Sequence, residues 1–123
     1  MAITQFGSND AINEQSTARY ACTFVDHLGV AIDSSAISAI VATLKNASDD
    51  TTINSRSAQS VLNTNGGTMG SGGAFALILS ALDTVAVGDL ALQPRRLTLV
   101  VDYTDGRLTH EVDFFVRALR DVS

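Results

Sequence analysis

The stretch RRLTLVVDYTDGRLTHEVDFFVR, Arg95 to Arg117, decides the fold class. Leu97, Leu99, Val101 and Tyr103 recur at every second position, and Leu108, Val112, Phe114 and Val116 keep the same period after them with His110 in the one gap. A period of two belongs to a strand with one buried face. Asp105-Gly106 stands between the two runs. Asp-Gly is the favoured pair for a two-residue type I′ hairpin turn, because both central positions need positive φ. Such a turn sets a register: Thr104 opposite Arg107, Tyr103 opposite Leu108, Val101 opposite His110, Leu99 opposite Val112 and Leu97 opposite Phe114. The second face then carries Thr98 and Asp102 beside Thr109 and Asp113. Turn and pattern agree, so the carboxy-terminal hairpin anchors the rest of the reading.

Working back from the hairpin, Thr17 to Val25 reads as a strand with Tyr20, Cys22 and Phe24 on one face. Asp26-His27-Leu28-Gly29 reads as a turn. Ile37 to Lys45 is a second strand with Ile40 and Leu44 inward, and Phe75, Leu77 and Leu79 define a third. Ser80-Ala81-Leu82-Asp83 has the spacing of a capping box, enough for one short turn between strands. Pro94 marks a strand entry or edge. The run GGTMGSGG, Gly66 to Gly73, is too short for an interdomain linker and reads as a mobile loop before the strand from Ala74. Short strands between polar turns predict an all-β sandwich. Residues 17–123 are expected to form one domain, and residues 1–16, which include Ile3, Phe6 and Ile12, an arm or a first strand.

The chain has 123 residues, about one domain, and is 46% hydrophobic, which argues against disorder. A net charge of -5 disfavours a phosphate backbone as partner. Cys22 is the only cysteine, so no internal disulfide forms, and its neighbours Tyr20 and Phe24 make it a small buried hydrophobe. The start, MAITQFGSND, does not read as a secretory signal. The longest apolar run, AFALILSAL, has nine residues against the roughly 20 that span a bilayer. The expectation is a soluble protein made in a cytoplasm, with no nucleic acid and no membrane among its partners.

Catalytic sets are hard to find. HExxH, CxxC and GxSxG are missing. His110 falls on the apolar face of the hairpin, and His27 sits in a turn. GGTMGSGG lacks a following Lys-Ser/Thr and leads into a strand, whereas phosphate loops use the amides of a helix start. Asp49-Asp50 with Asn54 does not have the spacing of a calcium loop. Glu111 and Asp113 share the polar face of the last strand as solvated carboxylates without a positioned partner. The expectation is a non-enzyme with no catalytic residues, no metal and no cofactor.

Binding features are subtler. In the register above, Phe115 lies on the polar face across from Arg96, either an interface aromatic beside an arginine or a cation–π pair at the domain's own edge. The ribbon INSRSAQSVLNTNGGTM, Ile53 to Met69, carries Asn54, Arg56, Gln59, Asn63 and Asn65 without a histidine, cysteine or carboxylate. Such side chains bridge exposed backbone groups, so the ribbon is either a self-bonded connection between strands or a contact to a neighbouring subunit.

The order of these segments resembles a family of small tailed-bacteriophage structural proteins. The resemblance rests on Ile53, Asn54, Arg56, Gln59, Val61, Asn63, Asn65 and Thr68, and on the late GRLTHEVDFFVRAL segment through His110, Glu111, Val112, Phe114, Val116 and Leu119. STARYACTFVDHLGVAI is similar to that family's opening strands. Ala118 stands where the family usually has Asn, and the penultimate strand lacks a Trp. The resemblance implies an immunoglobulin-like antiparallel sandwich of about seven strands. It also implies a virion structural protein, assembled in the host cytoplasm and present in many copies of a symmetric array. Its partners are then other virion proteins of the tail, neck or capsid. A neck or tail adaptor linking the tail core to fibres or spikes is the leading expectation. Capsid decoration and an assembly chaperone are the alternatives.

Overall fold

The computed structural model describes residues 4–7, 10–86, 91–104 and 106–118. Among them the chain is almost entirely strand and turn. The strands are β1 (Thr4–Phe6), β2 (Ala11–Asn13), β3 (Ala18–Thr23), β4 (Ile37–Asn46), β5 (Thr51–Thr52), β6 (Gln59–Ser60), β7 (Gly67–Met69), β8 (Ala74–Leu79), β9 (Leu92–Tyr103) and β10 (Gly106–Arg117). One sheet runs β1-β3-β8-β7, and the other β2-β10-β9-β4-β5 with β6 also on β4. Inward residues of both sheets form one core, an all-β sandwich as the alternation requires. No helix among the described residues is long and apolar enough to cross a membrane.

The hairpin forms with its faces as expected but with a register two residues away. Tyr103 pairs with Gly106, Val101 with Leu108, Leu99 with His110 and Leu97 with Val112. Gly106 is thus a strand residue at φ 149 rather than a turn centre; the other half of the expected turn, Asp105, lies outside the described residues. A slip of two preserves side-chain parity, so Leu97, Leu99, Val101, Val112, Phe114 and Val116 are all buried. Charge pairing fits the observed register. Arg107 faces Asp102 and donates to it at 2.7 Å, and Arg96 faces Asp113 at 2.9 Å. The expected register would have set Asp102 against Thr109 and Arg96 against Phe115. Opposite charges directly across a pair favour the register that brings them together.

That register removes the expected Arg96–Phe115 contact. Phe115 stands opposite Pro94 on one side and Ala11 on the other, and it is half-buried. Arg96 is held by two carboxylates, Asp113 and, at 3.4 Å, Glu111. Glu111 and Asp113 therefore do have a positioned partner, a surface arginine.

Arg95, next to Arg96, points the other way and is fully buried. Its guanidinium donates to Val85 O at 2.6 Å, Gln93 Oε1 at 3.2 Å and Asn46 Oδ1 at 3.5 Å, while Nε has no hydrogen-bond partner. Burial pushes its pKa down, and the charge of Asp49 offsets part of that.

Part of the glycine run forms a strand where a loop is expected. Gly67–Met69 is the edge strand β7, paired antiparallel with β8. A Cβ on Gly67 would lie 1.9 Å from Val61 O, so only glycine lets the ribbon cross this close. Gly66 is also constrained, at φ 92 with a virtual Cβ 2.6 Å from Ile78 O. Flexibility gives way here to close backbone approach.

The amino-terminal segment closes the open side of the sandwich. β1 pairs in parallel with β3, and β2 pairs in parallel with β10. Phe6 and Ile12 are buried, and the Phe6 ring lies 4.7 Å from Phe114 and 5.5 Å from Tyr20, touching both sheets. Gln15, in the link to β3, takes φ 58, a left-handed conformation that costs a non-glycine residue about 1 kcal/mol.

Candidate functional site

The ribbon from Ile53 to Met69 leaves β4 and returns over the edge of the sandwich. Its backbone is stitched to that strand: Ile53 N–H donates to Leu44 O, Leu44 N–H to Arg56 O, and Val61 N–H to Ile40 O. Ile53 and Val61 fill the core beneath. Along the ribbon Asn54, Ser55, Ala58, Asn63 and Asn65 all have φ between 49 and 56. Asparagine tolerates this region because its short amide bonds locally, which explains the asparagine spacing. Ala58 has no such compensation, and its N–H is taken by Thr43 Oγ1 at 2.9 Å.

The polar side chains converge on a residue far away in sequence, Asp83. Arg56 Nε donates to Asp83 Oδ1 at 2.6 Å and Nη2 to Oδ2 at 3.0 Å. Asn54 Nδ2 donates to the same Oδ1 at 2.9 Å, and Ser80 N–H to Oδ2 at 2.8 Å. The capping-box spacing thus holds a turn over Ala81–Thr84, with Asp83 N–H returned to Ser80 O at 3.0 Å. Arg56 continues outward, donating through Nη1 to Gln59 Oε1 at 2.9 Å and through Nη2 to Asn65 O at 3.2 Å. Asn65 Nδ2 donates to Ser60 O, and Asn63 Oδ1 accepts from Met69 N–H.

Electrostatics follows from this geometry. Burial pushes the Asp83 carboxyl up, but donors from Arg56, Asn54 and Ser80 outweigh it and hold the group below the usual carboxylate range. Arg56 is 5% exposed, and its guanidinium bonds Asp83, Gln59 and Asn65 within the domain. Asn54, Asn63 and Asn65 are exposed, and Gln59 is half-buried. Asn54, Gln59 and Asn65 line a depression of about 280 Å³ whose floor includes Arg56 and Ser80. Of the residues expected at an interface, four therefore meet at one place. Asn63 sits at the ribbon's far end, and Arg96 and Phe115 lie apart on the β9–β10 sheet.

A larger groove, about 450 Å³, lies against β3, β8 and β7 among Ala21, Thr23, Thr68, Gly70, Ala74 and Ala76. Cys22 borders it; the side chain is half-buried, and burial pushes its thiol up to about 11. Small side chains make most of the hollow, with Arg19 and Phe75 also on its wall.

His110 lies opposite Leu99 rather than Val101, within 2.5 Å of Tyr20 Oη through Nε2. Burial lowers the histidine pKa, and burial together with the nearby Cys22 pushes the tyrosine up to about 12. Both are neutral at neutral pH. Phe24 covers the ring edge-on at 6.3 Å, and the pair packs between the sheets. Asp49 accepts from Thr51 N–H and Oγ1 in its own turn, and Asp50 lies 3.7 Å from Lys45 Nζ.

Sequence reasoning found the ribbon but not its buried carboxylate. Asp83 carried one signal, the capping-box spacing. Arg95 carried another, since parity places it on the face of Leu97 and Leu99. The Tyr20–His110 pair joins two sheets and left no local trace. No protein-family model matches the chain, and no curated protein matches it.

Proposed function

We propose that this chain is a non-enzymatic structural protein of a bacteriophage virion. Its place is a neck or tail accessory subunit that adapts the tail core to fibres or spikes, and its sandwich is of the immunoglobulin-like type. One observation carries the reading. The residues that bear the resemblance are gathered by the fold: Asn54, Arg56, Gln59 and Asn65 line one depression above Asp83. An ion pair stiffens the ribbon from within, and carboxamides face outward. Such a surface holds donors and acceptors at fixed positions, which suits recognition of another protein's backbone and polar side chains. In a symmetric array, many such contacts add through avidity even where each is weak.

The experiment is quantitative mass spectrometry of gradient-purified particles from cells producing the phage that encodes the chain. Six or twelve copies per particle are expected. Hundreds of copies would move the chain to capsid decoration, and its presence in the lysate but not in particles would leave only an assembly role.

A further inference from the structure

The amino-terminal clasp has a property that its docked position does not require. Neither β1 nor β2 pairs with the other; each is held by a different sheet. Both buried anchors, Phe6 and Ile12, fill sites made by the body of the domain. β3 is paired along its length by β8, and β10 along its length by β9. Removing the clasp therefore leaves two strand edges side by side, with an aromatic pocket of Tyr20 and Phe114 between them. The segment that fits this double edge is known, because the structure shows it there.

The connection between clasp and body is short and strained. Residues 14–17 join β2 to β3, and Gln15 within them is left-handed at φ 58. A docking site is indifferent to which copy supplies its occupant, so the hinge and the concentration decide between closed monomer and exchange. Short strained hinges tip that balance toward exchange.

We propose that the double edge formed by β3 and β10 is an intersubunit docking site whose occupant is the clasp, strands β1 and β2, of a second copy of this chain. Opening the hinge relieves Gln15, and each clasp then pairs in parallel with β3 and β10 of its neighbour. Reciprocal exchange closes a dimer; sequential exchange links copies into a ring or row. The inference stands on the fold alone and does not depend on the virion reading.

The test mixes full-length chain in two isotopic forms, both with a photo-crosslinking residue substituted at the exposed Ala11, which faces Phe115 in β10. After equilibration at increasing concentration, up to the order of 1 mM, the mixture is irradiated and digested. Mixed-isotope cross-links between the clasp and the β10 peptide are expected to grow with concentration. Gln15→Gly, which removes the strain without touching a docking contact, should lower the mixed fraction roughly five-fold per hinge. Cross-links of a single isotope at every concentration would overturn the proposal. So would mixed cross-links that reach some other segment, or a mixed fraction unchanged by Gln15→Gly while circular dichroism shows that variant folded.

Discussion

Arg56 and Asp83 are 27 residues apart in sequence and joined by two hydrogen bonds, Nε to Oδ1 at 2.6 Å and Nη2 to Oδ2 at 3.0 Å. Asp83 is fully buried and Arg56 nearly so, and the pair ties the ribbon beside β4 to the turn after β8. Asp83 is held below its ordinary pKa, so its contribution is fully present above the unfolded carboxylate value and fades as pH falls through the folded one. Urea midpoints should therefore decline from about pH 4 downward. Asp83→Asn, destabilised at neutral pH, should show a shallower acid limb. Parallel acid limbs in the two proteins would assign the acid sensitivity to other carboxylates.

His110 sets a second, separate window. Its folded pKa lies below the ordinary 6.5 because the ring is partly buried, so the unfolded chain takes up a proton more readily. Stability from this group is complete above about pH 6.5 and is lost progressively as pH falls below it. If the Tyr20 hydroxyl donates, protonation of Nε2 also removes its acceptor. His110→Gln should flatten stability between about pH 7 and 5, measured by thermal unfolding at stepped pH. An unchanged slope would place the titration elsewhere.

Gly67 and Gly72 separate close approach from backbone conformation. At Gly67 a methyl group meets Val61 O at 1.9 Å, which no rotamer change relieves. Gly67→Ala should cost about 3 kcal/mol or more by forcing β7 away from the Val61 backbone. Gly72 has φ 66 with open space around its Cβ, so Gly72→Ala should cost only about 1 kcal/mol. Chemical denaturation of the two variants gives the comparison; equal costs would mean the ribbon has room to shift.

The sandwich was legible because alternation survives errors of register. The Asp105-Gly106 signal put the hairpin two residues out of step, yet Leu97, Leu99 and Val101 stayed inside because two is the strand period. The observed pairing sets opposite charges across the strands, Arg107 with Asp102 and Arg96 with Asp113, a match that turn chemistry does not contain.

The candidate site was half legible. Asparagine spacing marked the ribbon, since left-handed backbone at Asn54, Asn63 and Asn65 is what that residue tolerates best. The carboxylate that organises it lay in another segment, and only the fold brings Asp83 beneath Arg56. Glycines misled for a related reason: Gly67 serves a contact with Val61, and a contact partner is invisible in a local window. Arg95 was readable by parity, but burying a cation among the neutral acceptors Val85 O, Gln93 and Asn46 goes against composition rules.

The organising role of the Arg56–Asp83 pair is tested most directly by a double-mutant cycle on the isolated chain, with Arg56→Met, Asp83→Asn and the two combined, by urea unfolding at pH 7. Removing one partner of a buried pair leaves the other uncompensated, so each single change should cost about 3–5 kcal/mol. The double variant should be less destabilised than the sum by about 2–3 kcal/mol. Single changes that add to within about 0.5 kcal/mol would mean the two residues do not act together, and would contradict the account of the ribbon.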